Sequence, residues 1–260
     1  MIDPIYALVG LFVGLLIGWT GIGGGAVLTP LLVTVFGQSP TVAVGTDLAF
    51  AAVTKLAGVA LPSVRGRIDW PVVGRLALGS IPGALLALLA LKLVPHVAAN
   101  TATVRVLAAM LLATAAALLL KERIRQKGVQ WTAEVVAATH RLQTPVTVGA
   151  GLLLGVAVTL TSVGAGALGT TALVFLYPLR LTAPRLVATD IAHAIPLAII
   201  GAAGHAAFGD VNVTLLASLV VGSIPGVLIA SHLTLRIPES VQRGAISLML
   251  VASAWRLLKL

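Results

Sequence analysis

The chain contains no cysteine, only eight acidic residues and few aromatic side chains, which make up 4% of its 260 residues. The absence of cysteine excludes disulfide bonds, thiolate catalysis and iron–sulfur clusters held by cysteine. So few aromatic residues cannot form the girdles of a transmembrane β-barrel. The sequence has no Ser-His-Asp arrangement with supporting context and no HExxH helix. These observations predict a protein that is not an enzyme and has neither cofactor nor metal site.

Apolar residues dominate what is present. They form 58% of the chain, against 10% charged residues, and the mean hydropathy is +1.07. A soluble protein of this size needs more charge to cover its surface. Several apolar runs have about the 20 residues that cross a bilayer: Leu76–Leu93, Val104–Leu120 and Thr214–Ile229. The fold class is therefore predicted to be an all-α polytopic membrane protein. We expect no cleaved signal peptide, because Met1–Tyr6 has no basic residue.

The sequence contains an internal repeat. The pentapeptide GSIPG at Gly79–Gly83 recurs at Gly222–Gly226, 143 positions later (222 − 79). The same offset pairs Thr46-Asp47 with Thr189-Asp190, and Gly21 and Gly23 with Gly164 and Gly166. This order of landmarks predicts two membrane repeats, residues 1–121 and 144–260, joined by a basic linker at 122–143.

Each repeat is predicted to have four helical elements, A to D. Element A has a Gly-rich break in its middle, so neither arm comfortably spans a bilayer, and a re-entrant hairpin is expected. With three further spans in each repeat, the chain would be counted as seven or eight transmembrane helices. The predicted bounds are Ile5–Phe36, Ser39–Leu61, Val72–Val94 and Thr101–Leu120, then Val146–Leu176, a start at Thr182, Val213–Leu233 and Glu239–Leu258.

The basic loops predict how the repeats are oriented. If both A elements re-enter, twelve Lys and Arg residues lie on one side of the membrane and four on the other, whereas single crossings give ten and six. The positive-inside rule therefore favours inverted repeats in the cell inner membrane, with the linker cytoplasmic and both termini outside. Trp131, Val135, Val136 and Leu142 predict a short interfacial helix in the linker. The net charge of +9 is therefore expected to interact with anionic membrane lipid and not with nucleic acid.

The broken A elements could bind an anion. Glycines leave backbone N–H groups accessible, and the second arm of each hairpin directs its positive N-terminal end at the same place. An inverted repeat with a broken helix in each half indicates a transport site at the midplane. The alternative is that the glycines only allow close packing or a tight turn. The assigned substrate-binding residues are Gly21, Gly23, Gly24, Gly25, Thr161, Ser162, Gly164, Gly166, Thr46 and Thr189.

Ionisable residues lie inside elements B and B′. Asp47 and Asp190 could carry protons, hold a cation or set the local field, or could simply accept hydrogen bonds from a hairpin tip. His193 lies one helical turn after Asp190 and could share its proton, or be an ordinary buried histidine. Lys55 could attract an anion, or could extend towards Arg65 at the membrane surface.

These motifs resemble those of the TauE/SafE sulfite exporter family. The resemblance rests on Gly18–Leu32 followed by Gly45–Asp47, on Thr159–Thr170 with Ala188–Asp190, and on the duplicated GSIPG, and it covers nearly the whole chain. It implies a prokaryotic cytoplasmic-membrane permease that exports sulfite, sulfoacetate or related organosulfur anions. The hypothesis is thus a secondary transporter with a small anion bound between the hairpin tips. An anion channel, a carrier of another small anion or cation, and a membrane enzyme or assembly factor remain alternatives, and a homodimer is left open.

Overall fold

The structure, a computed structural model, describes residues 2–20, 25–60, 62–93, 101–129, 133–164, 166–232 and 239–259. In these ranges the secondary structure is helical, without strands. The helices are α1 Pro4–Thr20, α2 Gly25–Thr34, α3 Pro40–Ala60, α4 Pro62–Arg65, α5 Trp70–Leu93, α6 Thr101–Val129, α7 Ala133–Thr161, α8 Ala167–Leu176, α9 Ala183–Ala207, α10 Val213–His232 and α11 Glu239–Leu257.

The helix bounds agree with the sequence signals. Helix α3 starts at Pro40, and the Ser39 hydroxyl before it accepts the N–H of Val42 at 3.4 Å, as an N-cap does. Helix α9 follows Thr182, an N-cap in extended conformation, with proline in its first turn. The second A element is interrupted where the sequence predicts, between α7 and α8, and the described parts of the first are α1, which ends at Thr20, and α2, which begins at Gly25. Residues Gly21–Gly24 of the first break lie outside the described residues.

Each broken element returns to the end of the bundle at which it started. Tyr6, early in α1, stacks on Phe36, just after α2, with ring centroids 5.0 Å apart. In the second half, the Gln143 side chain donates to the Leu176 carbonyl at 2.6 Å, and Thr147 hydrogen-bonds the Tyr177 hydroxyl at 2.9 Å. The two arms are therefore antiparallel, as a hairpin requires.

Glycines bring helices of the two halves into close contact. The most extensive packing joins α1 to α10 and α7 to α5, and α3 also packs on α9 and α6 on α11. A Cβ placed on Gly79 would lie 1.9 Å from the Val148 carbonyl oxygen, and one on Gly222 would lie 1.8 Å from that of Ala7. Only a residue without a side chain fits there. The GSIPG strings thus allow α7 and α1 to approach α5 and α10.

The packing corrects the repeat register in the broken elements. Gly10 lies against Leu219 and Gly151 against Leu76, so element A shifts by 141 positions (151 − 10) while element C shifts by 143 (219 − 76). The counterpart of Gly21 is therefore Ser162 rather than Gly164, and Gly23 and Gly25 correspond to Gly164 and Gly166. The two extra positions fall between α8 and α9, where residues 177–182 take the place of residues 36–39.

The helix expected in the linker is continuous with the apolar helix that follows it, and its interfacial position stays a prediction. Helix α6 continues to Val129 and α7 already starts at Ala133, because the segment is rich in good helix formers and lacks proline until Pro145. Trp131 lies outside the described residues.

Five described helices are long and apolar enough to cross a membrane: Pro40–Ala60, Trp70–Leu93, Leu142–Thr161, Ala183–Ala207 and Val213–Ala230. The apolar part of α7 is longer than the arm expected for a hairpin. Shorter apolar helices lie at Val104–Leu120 and Gly244–Leu257. The number of crossings therefore stays a prediction. We call the end of the bundle where α3 stops and α5 and α9 start the basic end, and the other the opposite end.

Candidate functional site

The four ionisable residues that the sequence singled out lie in the interior, on the packed helices α3 and α9. Asp47, Lys55, Asp190 and His193 are 0%, 5%, 1% and 2% exposed. The Lys55 ammonium interacts electrostatically with Asp190 and Asp47. The charge of Lys55 also acts on His193. Buried charges in a membrane protein are costly and are usually paired or functional. The structure therefore brings the four together as one polar cluster.

Asp47 links α3 to both broken elements. One of its carboxylate oxygens accepts the hydroxyl of Thr29 on α2. Ser162, at the break between α7 and α8, lies beside the same carboxylate. The other oxygen, Oδ1, has no hydrogen-bond partner among the described residues. Thr29 was not singled out from the sequence, although it follows the Gly-rich break by one helical turn.

Asp190 lies against the start of α8. A Cβ placed on Gly169 would lie 2.1 Å from Asp190 Oδ1, so the carboxylate touches the backbone of the first helical turn. Negative charge is favourable at this end of a helix because the N–H groups there are unpaired and the dipole is positive. The carboxylate thus occupies part of the amide end that was expected to face a ligand.

Lys55 and His193 make the cluster unequal between the halves. Lys55 is buried among charged partners, so its extension towards Arg65 is wrong. His193 Nε2 hydrogen-bonds Ser80 Oγ at 2.9 Å. Ser80 was missed because its pentapeptide was used only as a marker of the repeat and of the family. Its counterpart Ser223 instead donates to Val220 of its own helix at 3.2 Å, so the repeat alone does not distinguish the two serines.

Thr46 and Thr189 hold the two halves together. The Thr46 hydroxyl accepts the backbone N–H of Asn212 at 3.0 Å, and Thr189 accepts that of Asp69 at 3.0 Å. Both threonines are fully buried. Asn212 caps α10 and Asp69 caps α5, so each threonine holds the N-cap residue of a helix in the other half. The structure thus shows these two threonines in hydrogen bonds between the halves, next in sequence to the aspartates of the cluster.

The described tip has a buried hydroxyl, that of Ser162, while the backbone N–H groups of Ser162 and Val163 are bonded locally. Ser162 has a φ of +54° and Gly164 a φ of +110°, both left-handed. Ser162 Oγ is buried and has no hydrogen-bond partner in the part of the chain that the structure describes. Helix α8 starts after Gly166 without a side-chain cap, whereas Thr161 hydrogen-bonds locally to Ala157 at 2.7 Å. A strained, buried break of this kind is a candidate ligand site.

Comparison with known proteins decides the class of the molecule. A family model described as "Sulfite exporter TauE/SafE" matches residues 6–257. The chain belongs to the TauE/SafE sulfite exporter family. It is accordingly a multi-pass membrane transporter and not an enzyme, and the resemblance inferred from its motifs is confirmed.

Two relatives of this TauE/SafE protein come from Bacillus subtilis (strain 168). The probable membrane transporter protein YjnA is 39% identical over 252 residues, which cover 94% of this chain and 96% of YjnA. The probable membrane transporter protein YdhB is 28% identical over 245 residues, covering 93% and 94%. No solved structure gives a significant match. The described residues contain no group of three His, Asp or Glu side chains that could hold a metal ion.

Proposed function

We propose that this protein is a secondary transporter that exports small sulfur-containing oxyanions, such as sulfite, sulfoacetate or a similar organosulfonate. The observation that carries the anion site is the break itself, where the buried Ser162 hydroxyl lies beside the Asp47 carboxylate and the uncapped start of α8. Hydroxyl and amide donors at a helix N-terminus suit an oxyanion. The sulfur chemistry comes from the family description. By register, Gly21, Gly23, Gly24 and Gly25 of the first tip would complete the site.

The charge of the cluster suggests how the anion could be coupled to protons. Asp47 and Asp190 carry two negative charges against the one positive charge of Lys55. An anion about 4 Å from a carboxylate is repelled by roughly 4 kcal/mol at an effective dielectric constant of 20. Protonating one carboxylate removes this repulsion, so we expect the anion and a proton to favour one another's binding. The charge of Lys55 also acts on His193, so we include His193 in the proposed proton coupling.

The proposed topology is an inverted repeat in the cell inner membrane. It is supported by the exchanged packing of α1 on α10 and α7 on α5, and by the antiparallel arms of both broken elements. The exposed Arg65, Arg67 and Arg180 lie at the basic end, which we assign to the cytoplasm.

Transport by purified protein in proteoliposomes tests the proposal. Sulfite, sulfoacetate, thiosulfate and sulfate are compared, with and without a pH gradient. A hydrogen bond to a charged group contributes about 1.5–3 kcal/mol, so Ser162→Ala should weaken anion binding roughly 10- to 100-fold. Ser223→Ala is the matched control, since that buried hydroxyl is bonded within its own helix. If none of these anions is bound or moved, the organosulfur assignment is wrong.

A cation carrier is the second candidate function. The observation that favours it is Asp47 Oδ1, a buried carboxylate oxygen without a partner among the described residues, because cation sites use such oxygens. Flux that requires Na⁺ or K⁺ but none of the anions would support this candidate over the first.

A further inference from the structure

An ion-pair cluster at the basic end lies outside the proposed anion site. Asp69, just before α5, is bound by both prongs of the Arg180 guanidinium, with Nε–Oδ2 and Nη2–Oδ1 distances of 2.8 Å. Arg185 Nη2 lies 3.5 Å from the same carboxylate. The Asp69 side chain is 2% exposed, while the two arginines are about half exposed. We call Asp69, Arg180 and Arg185 the basic-end clasp.

The clasp connects the two repeats. Asp69 belongs to the first repeat, whereas Arg180 lies in the loop between α8 and α9, at the base of the second hairpin. Arg75 on α5 makes a further connection, donating to the Tyr177 hydroxyl at 3.3 Å. Opening this end of the bundle between α5 and the hairpin base therefore requires these contacts to break.

The opposite end has no equivalent ion pair at the corresponding positions. Asn212 takes the place of Asp69 and caps α10 in the same way, with its side-chain oxygen 3.0 Å from the Leu215 N–H. Residues 36–39, which correspond to 177–182, read Phe-Gly-Gln-Ser; they are two residues fewer and include no cation. The nearby His205 and Asp210, 3.5 Å apart, both belong to the second repeat and do not join the halves. Neutral contacts thus replace the clasp there.

The clasp covers an apolar seal. Burial alone would raise the pKa of the Asp69 carboxyl, but the hydrogen bonds and charge of Arg180, with the charge of Arg185, lower it, so the carboxylate stays ionised. Apolar residues from α3, α4, α5, α9 and the loop before α5 pack together nearby, namely Val59, Val64, Ile68, Val73, Ala188 and Ala192. A hydrated anion cannot pass between such side chains while they remain in contact.

We propose that the basic-end clasp is a gate, which keeps this end of the transport pathway closed until Asp69 and Arg180 separate. The gate acts on the pathway of the proposed anion transporter and so rests on that function. Since Asn212 and residues 36–39, which correspond to the clasp at the opposite end, carry no charge, we expect the two closed ends to differ in strength. Removing the ion pair should make the transport pathway more accessible from the basic end, and not from the opposite end.

Asp69→Asn is the sharpest perturbation, because it reproduces the neutral cap that Asn212 already provides at the opposite end. The chain has no cysteine, so Ala192→Cys in the seal gives a single reporter. Its reaction with a membrane-impermeant thiol reagent is measured from each face of proteoliposomes, and Arg67→Cys, at an exposed position, identifies the basic face. We expect Asp69→Asn to speed the reaction from the basic face at least tenfold, with little change from the other face.

Two variants make the outcome decisive. Asn212→Asp adds a carboxylate at the opposite end, where the short loop offers no arginine, and should leave the reaction from the basic face unchanged. Arg180→Lys keeps the charge but loses the two-pronged contact, so it should accelerate the reaction even if the Asp69 variant does not fold. Equal acceleration from both faces, or none in either clasp variant, would overturn the gate. Because labelling needs no substrate, a failed flux assay with selective labelling would reject the anion function alone.

Discussion

The contact between α5 and α7 offers a test of the fold with an internal control. A Cβ on Gly151 would lie 2.3 Å from the Leu76 carbonyl oxygen, whereas one on Gly149, two residues earlier in α7, meets nothing within 4 Å. Ordinary contact begins at 3.4 Å, so Gly151→Ala must separate the helices by about 1.1 Å (3.4 − 2.3). Overpacking of this kind costs about 1–3 kcal/mol.

The control cancels the intrinsic effect of alanine. Both substitutions gain the same helix preference, about 0.5–1 kcal/mol, so the variants should differ by the cost of overpacking alone. Unfolding of the detergent-solubilised protein, followed by tryptophan fluorescence, should give Gly151→Ala a lower Tm than the wild type and Gly149→Ala an unchanged or higher one. Because α7 carries Ser162 at its end, Gly151→Ala should also impair anion binding. Equal melting temperatures for the two variants would refute the close packing.

Three further predictions address the cross-repeat contacts, the site and the clasp. Thr46→Val and Thr189→Val each remove one hydrogen bond to a backbone N–H and should lower the unfolding free energy by about 1 kcal/mol or more, measured by denaturant titration. Gly169→Ala should displace the carboxylate beside it and reduce anion flux in proteoliposomes, whereas Gly58→Ala, with open space around it, should not. The folded protein lowers the pKa of Asp69, so the clasp stabilises fully above about pH 4 and loses its effect as the pH falls through the lowered pKa. The stability difference between the wild type and Asp69→Asn should therefore shrink in acid and stay constant near neutrality.

Local signals predicted the positions of the helices well. Ser39-Pro40 and Thr182 mark the starts of α3 and α9 because capping and proline geometry depend only on neighbouring residues. The glycine run between α1 and α2 likewise predicts a break. The residues that enter the cluster were also recognisable, since an aspartate such as Asp47 inside an apolar run has few structural explanations.

Contacts between distant positions were not predictable in the same way. The bond from Asn212 to Thr46 joins residues 166 positions apart, and no local pattern indicates it. The register of the broken elements was misassigned because the pentapeptide repeat was extended across a segment that is two residues longer in the second half. Ser80 was overlooked because its motif occurs twice, and the repeat does not indicate that only the first copy contacts a histidine.

The duplicated and unduplicated residues divide by role. Residues that repeat, such as Thr46 with Thr189 and Gly10 with Gly151, make the same backbone contact in each half. A scaffold with such paired contacts can open at either end at similar cost. Asp47 and Asp190 repeat as well, but the cations do not: Ala198 stands at the position that corresponds to Lys55, and Arg180 comes from the loop between α8 and α9. We infer that the paired contacts supply two similar closed ends, and that the single-copy cations make one end harder to open than the other.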